Sequence, residues 1–451
     1  KTLQTSETIQ GADGRRPELR LAIRSEIASP DDSERRRQML EETLLISHPT
    51  ILQLSPEALY PARDAEHGTL IFAAYADAHA TGTVEDSVGV LAQRTREILN
   101  EDPEQELTTG RIRVHGSKPP TLCPQCDSPN YVNKGRISVC RSCRQEFQAA
   151  KAAPNWDRQM AIVASEYDRE QFPVLCATRS YGMGIDRQRI RSVVHNGISV
   201  SIEAYLQEAG RGARAGEDAA CTIITALPTN SCRVALAQNP VPPCLGKPCP
   251  HGLGSNLCDV GRQGRLIEQS FPAVGSEVTR AMKVWENPNQ ETDDLAAWRL
   301  EILGAASEWL GQRGLQSLSP SAEQLEENLT KAGIQVARGQ IRSLSDALHV
   351  LITAQRERSR RSRFEMLQAM HALAEQEQAC RWSAIGAAMG WSTEPCGRCD
   401  ICRANGLPQA SADTGENNSI GNTSVEETST KNITIAQLKE KKRRIKPPSP
   451  E

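Results

Sequence analysis

Between residues 68 and 227, short apolar runs alternate with stretches of helical periodicity. GTLIFAAY (68–75), RIRVHG (111–116), FPVLCAT (172–178), RSVVHNG (191–197) and CTIITAL (221–227) read as strands. Helical patterns at 84–99, 156–170 and 201–209 stand between several of them. A hairpin joins only antiparallel neighbours, so strands joined through helices run parallel. The alternation predicts an α/β fold: a parallel sheet covered by crossover helices. RPELRLAI (16–23) adds an extended apolar–polar alternation, and 32–46 an amphipathic helix. Beyond Pro228 the character changes. A connector rich in Pro, Gly and Cys gives way to a mainly helical region, with helices expected near 292–312, 321–332, 338–357 and 360–379. Residues 1–15 and 404–451 lack periodicity and read as disordered; the tail ends in the basic KEKKRRIKPPSPE.

Composition narrows the class. A length of 451 residues is a soft prior of about three domains. No apolar run approaches the ~18 residues of a spanning helix, so no membrane partner is expected. Net charge is −3, and the 41 Arg against 12 Lys favour bidentate anion contacts, although a GC-rich genome produces the same skew.

Eight of the 14 cysteines fall into two tight groups, and no secretory signal precedes them, so they read as metal sites rather than disulfides. Cys123, Cys126, Cys140 and Cys143 flank a hairpin-like text with Lys134–Gly135 at its tip, a zinc ribbon placed at 119–150. Cys380, Cys396, Cys399 and Cys402 can close a second, all-thiolate Zn²⁺ site of structural type. Cys232, Cys244, Cys249, His251 and Cys258 are irregularly spaced; a third zinc ion and buried free thiols both account for them.

The densest text is CATRSYGMGIDRQRIRSVVHNGISVSIEAYLQEAGRGARAGE (176–217). Gly182 and Gly184 let the backbone turn sharply before Asp186. Gln207 lies on a short helix, and Arg211 and Arg214 follow it, spaced so that both can point at one anion, as an arginine finger does. In doubly wound folds such chemistry is expected at the carboxyl ends of the strands. ATRSYGMGID and SIEAYLQEAGRGARAGE resemble motifs V and VI of superfamily-two helicases in the wording of the RecQ-like family, AT-x-AFGMGID and SLEAYYQESGRAGRDGE. The resemblance implies a RecA-like lobe in which Thr178, Gly182, Gly184 and Asp186 couple ATP to DNA. Asp186 would lie near the ribose and Thr178 near the DNA backbone. It also implies that Gln207, Arg211 and Arg214 face the nucleotide, with Arg214 as the finger. Ala213 and Ala215 depart from the family's Gly and Asp. PCGRCDIC (395–402) resembles the family's zinc knuckle, with 338–379 as the preceding helical hairpin. Its RERSRRSR (356–363) suits either a DNA backbone or a solvated helix face.

No G-x-x-x-x-G-K-[ST] loop and no DEAH-like box occur, and RPELRLAIR (16–24) resembles the linker between the family's two lobes. The resemblance then implies the C-terminal part of a 3′–5′ ATP-dependent DNA helicase. It would comprise a second lobe over 16–230, a Cys-rich connector over 231–265 and a helical region with zinc-binding subdomain over 266–403. Mg-ATP, DNA and a first RecA-like lobe would be its partners, and the bacterial cytoplasm with its nucleoid, in repair or recombination, its setting. The competing reading is a non-catalytic, zinc-containing nucleic-acid-binding protein, or a motor-dead helicase subunit of a DNA-modification or phage-defence system.

Overall fold

The computed structural model describes residues 15–29, 32–61, 65–74, 87–102, 108–116, 155–178, 186–245, 258–286, 322–331 and 333–407 apart from 338, 392 and 393, together with residues 106, 123, 125, 131–134, 137–140, 143–147 and 249. Residues 1–14, the helix expected at 292–312, the tail beyond 407, Cys126, Gly182, Gly184 and His251 lie outside the described residues.

Six strands, β1 (Leu19–Ile27), β2 (Gly68–Ala73), β3 (Ile112–His115), β7 (Val174–Thr178), β8 (Ile190–Asn196) and β9 (Ala219–Leu227), form one sheet. Its order is β1-β9-β8-β2-β7-β3, and every neighbouring pair is parallel. β2 and β9 are buried at every residue. Helices cover both faces, which is why these strands read as unbroken apolar runs. The helices around the sheet are α1 (Asp32–Glu42), continuing through one π turn (Thr43–Ser47) into α2 (His48–Leu52), then α3 (Pro56–Leu59), α4 (Val88–Ile98), α5 (Trp156–Asp168) and α6 (Ile202–Ala209). Ser87 and Ser201 cap α4 and α6 by accepting from the amides of Val90 and Ala204.

The sequence suggested an inter-lobe linker at 16–24. Instead β1 is a full strand at the sheet edge, in register with β9 from Leu19↔Ala219 to Ile27↔Leu227. Its alternation is that of a half-covered strand.

Between β3 and α5 a separate antiparallel sheet forms from β4 (Tyr131–Lys134), β5 (Ile137–Cys140) and β6 (Glu146–Phe147). Trp156 Nε1 donates to the Gly116 carbonyl at 2.8 Å and closes the base of this insertion.

After β9 come α7 (Asn230–Gln238), α8 (Asp259–Gln269), α9 (Val274–Glu286), α10 (Ala322–Lys331), α11 (Leu344–Glu375), α12 (Arg381–Met389) and α13 (Asp400–Ala404). The helices expected at 338–357 and 360–379 are one. RERSRRSR holds no Gly or Pro, and Arg is a good helix former, so nothing stops the 32-residue α11. Its arginines are largely engaged within the protein. Arg360 pairs with Glu268 at 2.7 Å, Arg356 donates to the Pro272 carbonyl, and Arg363 donates to Ser270 and covers the Phe271 ring. These three cations clamp the end of α8. Arg361 remains exposed beside Glu365.

One apolar cluster runs from Leu21 and Ile223 in the sheet through Phe364 of α11 to Trp382 and Cys402. Asp259, 1% exposed, ties α8 to α1 and β9 through Arg36, Arg262 and the Thr225 hydroxyl. Burial alone would push its carboxyl up, but the two guanidinium charges and the hydroxyl hold it below its ordinary range.

Candidate functional site

A sheet whose strands all run one way has an amino edge and a carboxyl edge. Thr178 ends β7 at the carboxyl edge, 6% exposed. Asp186 stands at the other edge. Its amide lies 3.3 Å from Asp168 Oδ1 at the end of α5, and the next residue, Arg187, donates to carbonyls of Tyr167, Phe172 and Ala65, all of which precede strands. Arg211 and Arg214 belong to this amino edge as well: the Ala213 amide donates to the Ile190 carbonyl at the first residue of β8. The carboxyl-end expectation is thereby corrected for the arginines. They follow a helix and precede a parallel strand, and such a loop returns to where strands begin. Exposed Gln207 sits in the last turn of α6, just before the loop.

Arg214 Nη1 is 3.0 Å from Asp186 Oδ1; the arginine side chain is 26% exposed and the carboxylate 83%. Burial and the charge of Arg214 lower the pKa of Arg211, while Asp186 opposes them. Two cations and one carboxylate thus share a small surface. Burial, with the Asp186 charge adding to it, raises the Asp168 carboxyl above its ordinary range. An exposed pair such as Arg214–Asp186 contributes about 0–1 kcal/mol, weak enough for an incoming phosphate to displace.

Ala213 departs from the family's Gly and adopts φ +60°. An L-residue there pays about 1–2 kcal/mol. The methyl finds room, since Ala213 is 4% exposed within the core. Its neighbour Gly212 has no such freedom: a Cβ there would stand 2.8 Å from that of Ala219. Arg16, which sequence reading missed, donates to the carbonyls of Gly210 and Ala213 at 2.8 and 2.9 Å. Fully buried Arg187 was also missed; it stacks on Tyr167 at 4.5 Å and leaves no room for a Cβ on Gly68. Nothing local announces either role, because their partners are carbonyls.

Two sets of cysteines converge. The sulfurs of Cys380, Cys396, Cys399 and Cys402 all lie within 4.8 Å of one another, with Cys396–Cys402 at 4.0 Å and Cys380–Cys399 at 3.9 Å. A Zn–S bond of about 2.3 Å implies a tetrahedron edge of roughly 3.8 Å, so the donor set fits zinc. Amides of Cys396, Arg398 and Cys399 donate to these sulfurs at 3.2–3.4 Å, and Gly397 takes the left-handed turn (φ +67°) that lets the knuckle close. Hydrogen bonds from Cys396 and Cys399 pull the Cys380 thiol well below its ordinary range and the Cys396 thiol is pushed well above. The zinc-binding segment is seated by Asp400, which takes the Arg381 guanidinium in a fork (3.0 and 3.0 Å) and the Ile23 amide of β1 (2.9 Å).

Cys123, Cys140 and Cys143 form the second set within 4.8 Å, Cys123 and Cys143 at 3.5 Å; Cys126 lies outside the described residues. Of the looser third group, Cys232, Cys244, Cys249 and Cys258 supply no further ligand set among the described residues, and His251 lies outside them. Burial pushes Cys232 up to about 11 and Cys258 up to about 12, and the Cys258 sulfur accepts from the Gly261 amide as the cap of α8. Cys232 and Cys244 are buried, Cys249 and Cys258 half-buried.

Residues 154–216 match the family described as helicase conserved C-terminal domain, and residues 338–403 match the family described as RecQ zinc-binding. Over 63 residues the chain is 36% identical to the ATP-dependent DNA helicase Q-like 4B of Arabidopsis thaliana, 14% of this chain and 6% of that protein. Over 56 residues it is 41% identical to the RecQ-like DNA helicase BLM of Xenopus laevis, 12% of this chain and 4% of that protein. The matched stretch therefore spans less than a tenth of either relative. Among solved structures, Mss116p bound to ssRNA and AMP-PNP aligns over 70% of this chain and 47% of its own, at 12% identity and a TM-score of 0.27.

Proposed function

From a chain that carries a helicase C-terminal domain and a RecQ zinc-binding domain, we propose the second motor lobe and zinc subdomain of a RecQ-like ATP-dependent DNA helicase, moving 3′ to 5′ on single-stranded DNA. The observation that carries this reading is the cluster of Arg211, Arg214 and Asp186 on one edge of the sheet, inside the matched helicase segment. Phosphoryl transfer spreads charge over the γ-phosphate oxygens, and a guanidinium held nearby meets that charge. Arg214 serves as the finger, exchanging Asp186 for phosphate. Arg211 holds the ground state, Gln207 lines the same side, and Asp186, once released, turns to the ribose. Thr178, at the opposite edge, touches the DNA backbone; Gly182 and Gly184 lie on the connection between the two edges. The phosphate-binding loop, the Mg²⁺ ligands and the water-orienting carboxylate come from a first RecA-like lobe, in the same polypeptide or as a partner.

Zn²⁺ occupies both Cys380/Cys396/Cys399/Cys402 and Cys123/Cys126/Cys140/Cys143, holding the fold rather than reacting. The setting is the bacterial cytoplasm at the nucleoid, in repair or recombination.

The test is Arg214→Ala in the protein joined to its first lobe. An arginine finger acts on transition-state charge, so kcat should fall about 10³-fold while ATP affinity stays nearly unchanged. Unchanged turnover for both Arg214→Ala and Arg211→Ala would favour the non-catalytic nucleic-acid-binding reading.

A further inference from the structure

The lead-in to β1, residues 15–18, touches two sites that are remote from each other in sequence. On one side Arg16 spans the arginine loop. Its two terminal nitrogens donate to the carbonyls of Gly210 and Ala213, one on each side of Arg211, and Ala213 immediately precedes Arg214. A planar guanidinium fixes two acceptors at a set spacing, which a lysine ammonium cannot do. The loop needs such a restraint, because Ala213 is held in a left-handed conformation that an L-residue leaves readily.

On the other side the same lead-in is tied to the zinc knuckle. Arg398, between Cys396 and Cys399, donates to the Pro17 carbonyl at 2.9 Å, and Arg15 donates to the Glu394 carbonyl at 3.0 Å. Asp218, at the far end of the arginine loop, takes Arg20 at 2.6 Å and lies 3.5 Å from Arg398. The Arg398 amide in turn donates to the Cys396 sulfur at 3.4 Å, so the place of this side chain follows the shape of the knuckle.

We propose that Arg16 is a positioning residue for the arginine loop, and that the zinc knuckle sets it through Arg398 and residues 15–17. Metal bound by Cys380, Cys396, Cys399 and Cys402 then fixes where Arg211 and Arg214 stand. What those arginines meet rests on the function proposed above; the mechanical link does not.

The experiment is amide hydrogen exchange, read by mass spectrometry on the full chain without nucleotide. Protection over 210–214 reports the loop, whose Gly212 and Ala213 amides bond to the Ala209 and Ile190 carbonyls. Arg16→Ala should speed exchange there at least tenfold, since it removes two charge-assisted hydrogen bonds. Arg16→Lys should restore part of the protection. Arg398→Ala, which leaves Arg16 and residues 210–214 in place and removes the Pro17 and Asp218 contacts, should speed the same amides several-fold, and chelation of the metal should do likewise. Strand β8 should keep its protection in both alanine variants, and their zinc content should match the wild type, so that a general loss of fold is distinguished. Unchanged protection in Arg16→Ala overturns the proposal. So does an effect of Arg16→Ala alone, with Arg398→Ala and chelation both silent. A failed helicase reading would leave this exchange pattern intact, whereas a failed link would leave the turnover of the joined protein unaffected.

Discussion

Asp400→Ala should be among the most damaging single changes outside the cysteines. The carboxylate accepts four hydrogen bonds: two from Arg381 at 3.0 Å, one from the Ile23 amide at 2.9 Å and one from the Ile401 amide at 2.8 Å. Arg381 is 6% exposed at its side chain and Asp400 23%. Removing one partner of a buried pair costs about 3–5 kcal/mol, because the other charge stays behind unpaired. Partial exposure of Asp400, and the Leu373 and Gln376 carbonyls that also accept from Arg381, put the loss near the lower bound, about 3 kcal/mol. The orphaned Ile23 amide adds about 1 kcal/mol. The sum, about 4 kcal/mol, is a large share of a typical stability of 5–15 kcal/mol. Asp400→Asn keeps one oxygen, enough to accept from one of the two amides, and should lose less than Asp400→Ala. Urea unfolding of the zinc-loaded chain, followed by circular dichroism and Trp fluorescence, measures both, with coincidence of the probes testing two-state behaviour. Replacing both partners, Asp400→Leu with Arg381→Met, should recover part of the loss. A loss under about 1 kcal/mol for Asp400→Ala, or no recovery in the double variant, would refute the reasoning.

Metal analysis of the purified chain should find two zinc ions, with Cys140→Ser losing one and Cys399→Ser the other; one ion in the wild type would remove the ribbon assignment. Acid should destabilise the fold through His48, which is fully buried between the Ser192 and Thr222 hydroxyls at 2.7 and 2.8 Å, and whose pKa burial, with the Arg24 and Arg403 charges, lowers to about 3. Its folded pKa lies below the unfolded value, so the stability it contributes is complete above about pH 6.5 and is lost as pH falls toward 3, about 2 kcal/mol of it by pH 5. His48→Gln should flatten the fall of Tm between pH 7.5 and 5; parallel curves for variant and wild type would clear His48 of the effect.

The parts of the molecule that were legible in the sequence are those whose cause is local. β2 and β9 announce themselves as apolar runs because both faces are covered. Cys396, Cys399 and Cys402 announce themselves because a knuckle needs that spacing. β1 is visible as an extended alternation at the start of the expected lobe, but its partner β9 lies about 200 residues away, so the pairing is not. The Asp259–Arg36 pair spans 223 residues and leaves no trace in either neighbourhood. The break expected between 357 and 360 is absent, and the arginines there find Glu268, Pro272 and Ser270 on α8 and just beyond it. The edge on which Arg211 and Arg214 stand was legible and was misjudged: the order strand, helix, arginines, strand already assigns them to the amino edge.

That geometry bears on how nucleotide and DNA could communicate under the proposed function. Thr178 and Asp186 lie eight residues apart and on opposite edges of the sheet. The five residues of β7 separate those edges by about 17 Å at 3.3–3.4 Å each. Eight peptide steps reach at most about 27 Å. Both ends are held by the protein: Thr178 by its place in the ladder with Ala73, Asp186 by Asp168 and Arg214. Exchange of Arg214 from Asp186 to a phosphate would free the exposed carboxylate, while the Asp168 contact and the buried Arg187 beside it keep the backbone at the amino edge.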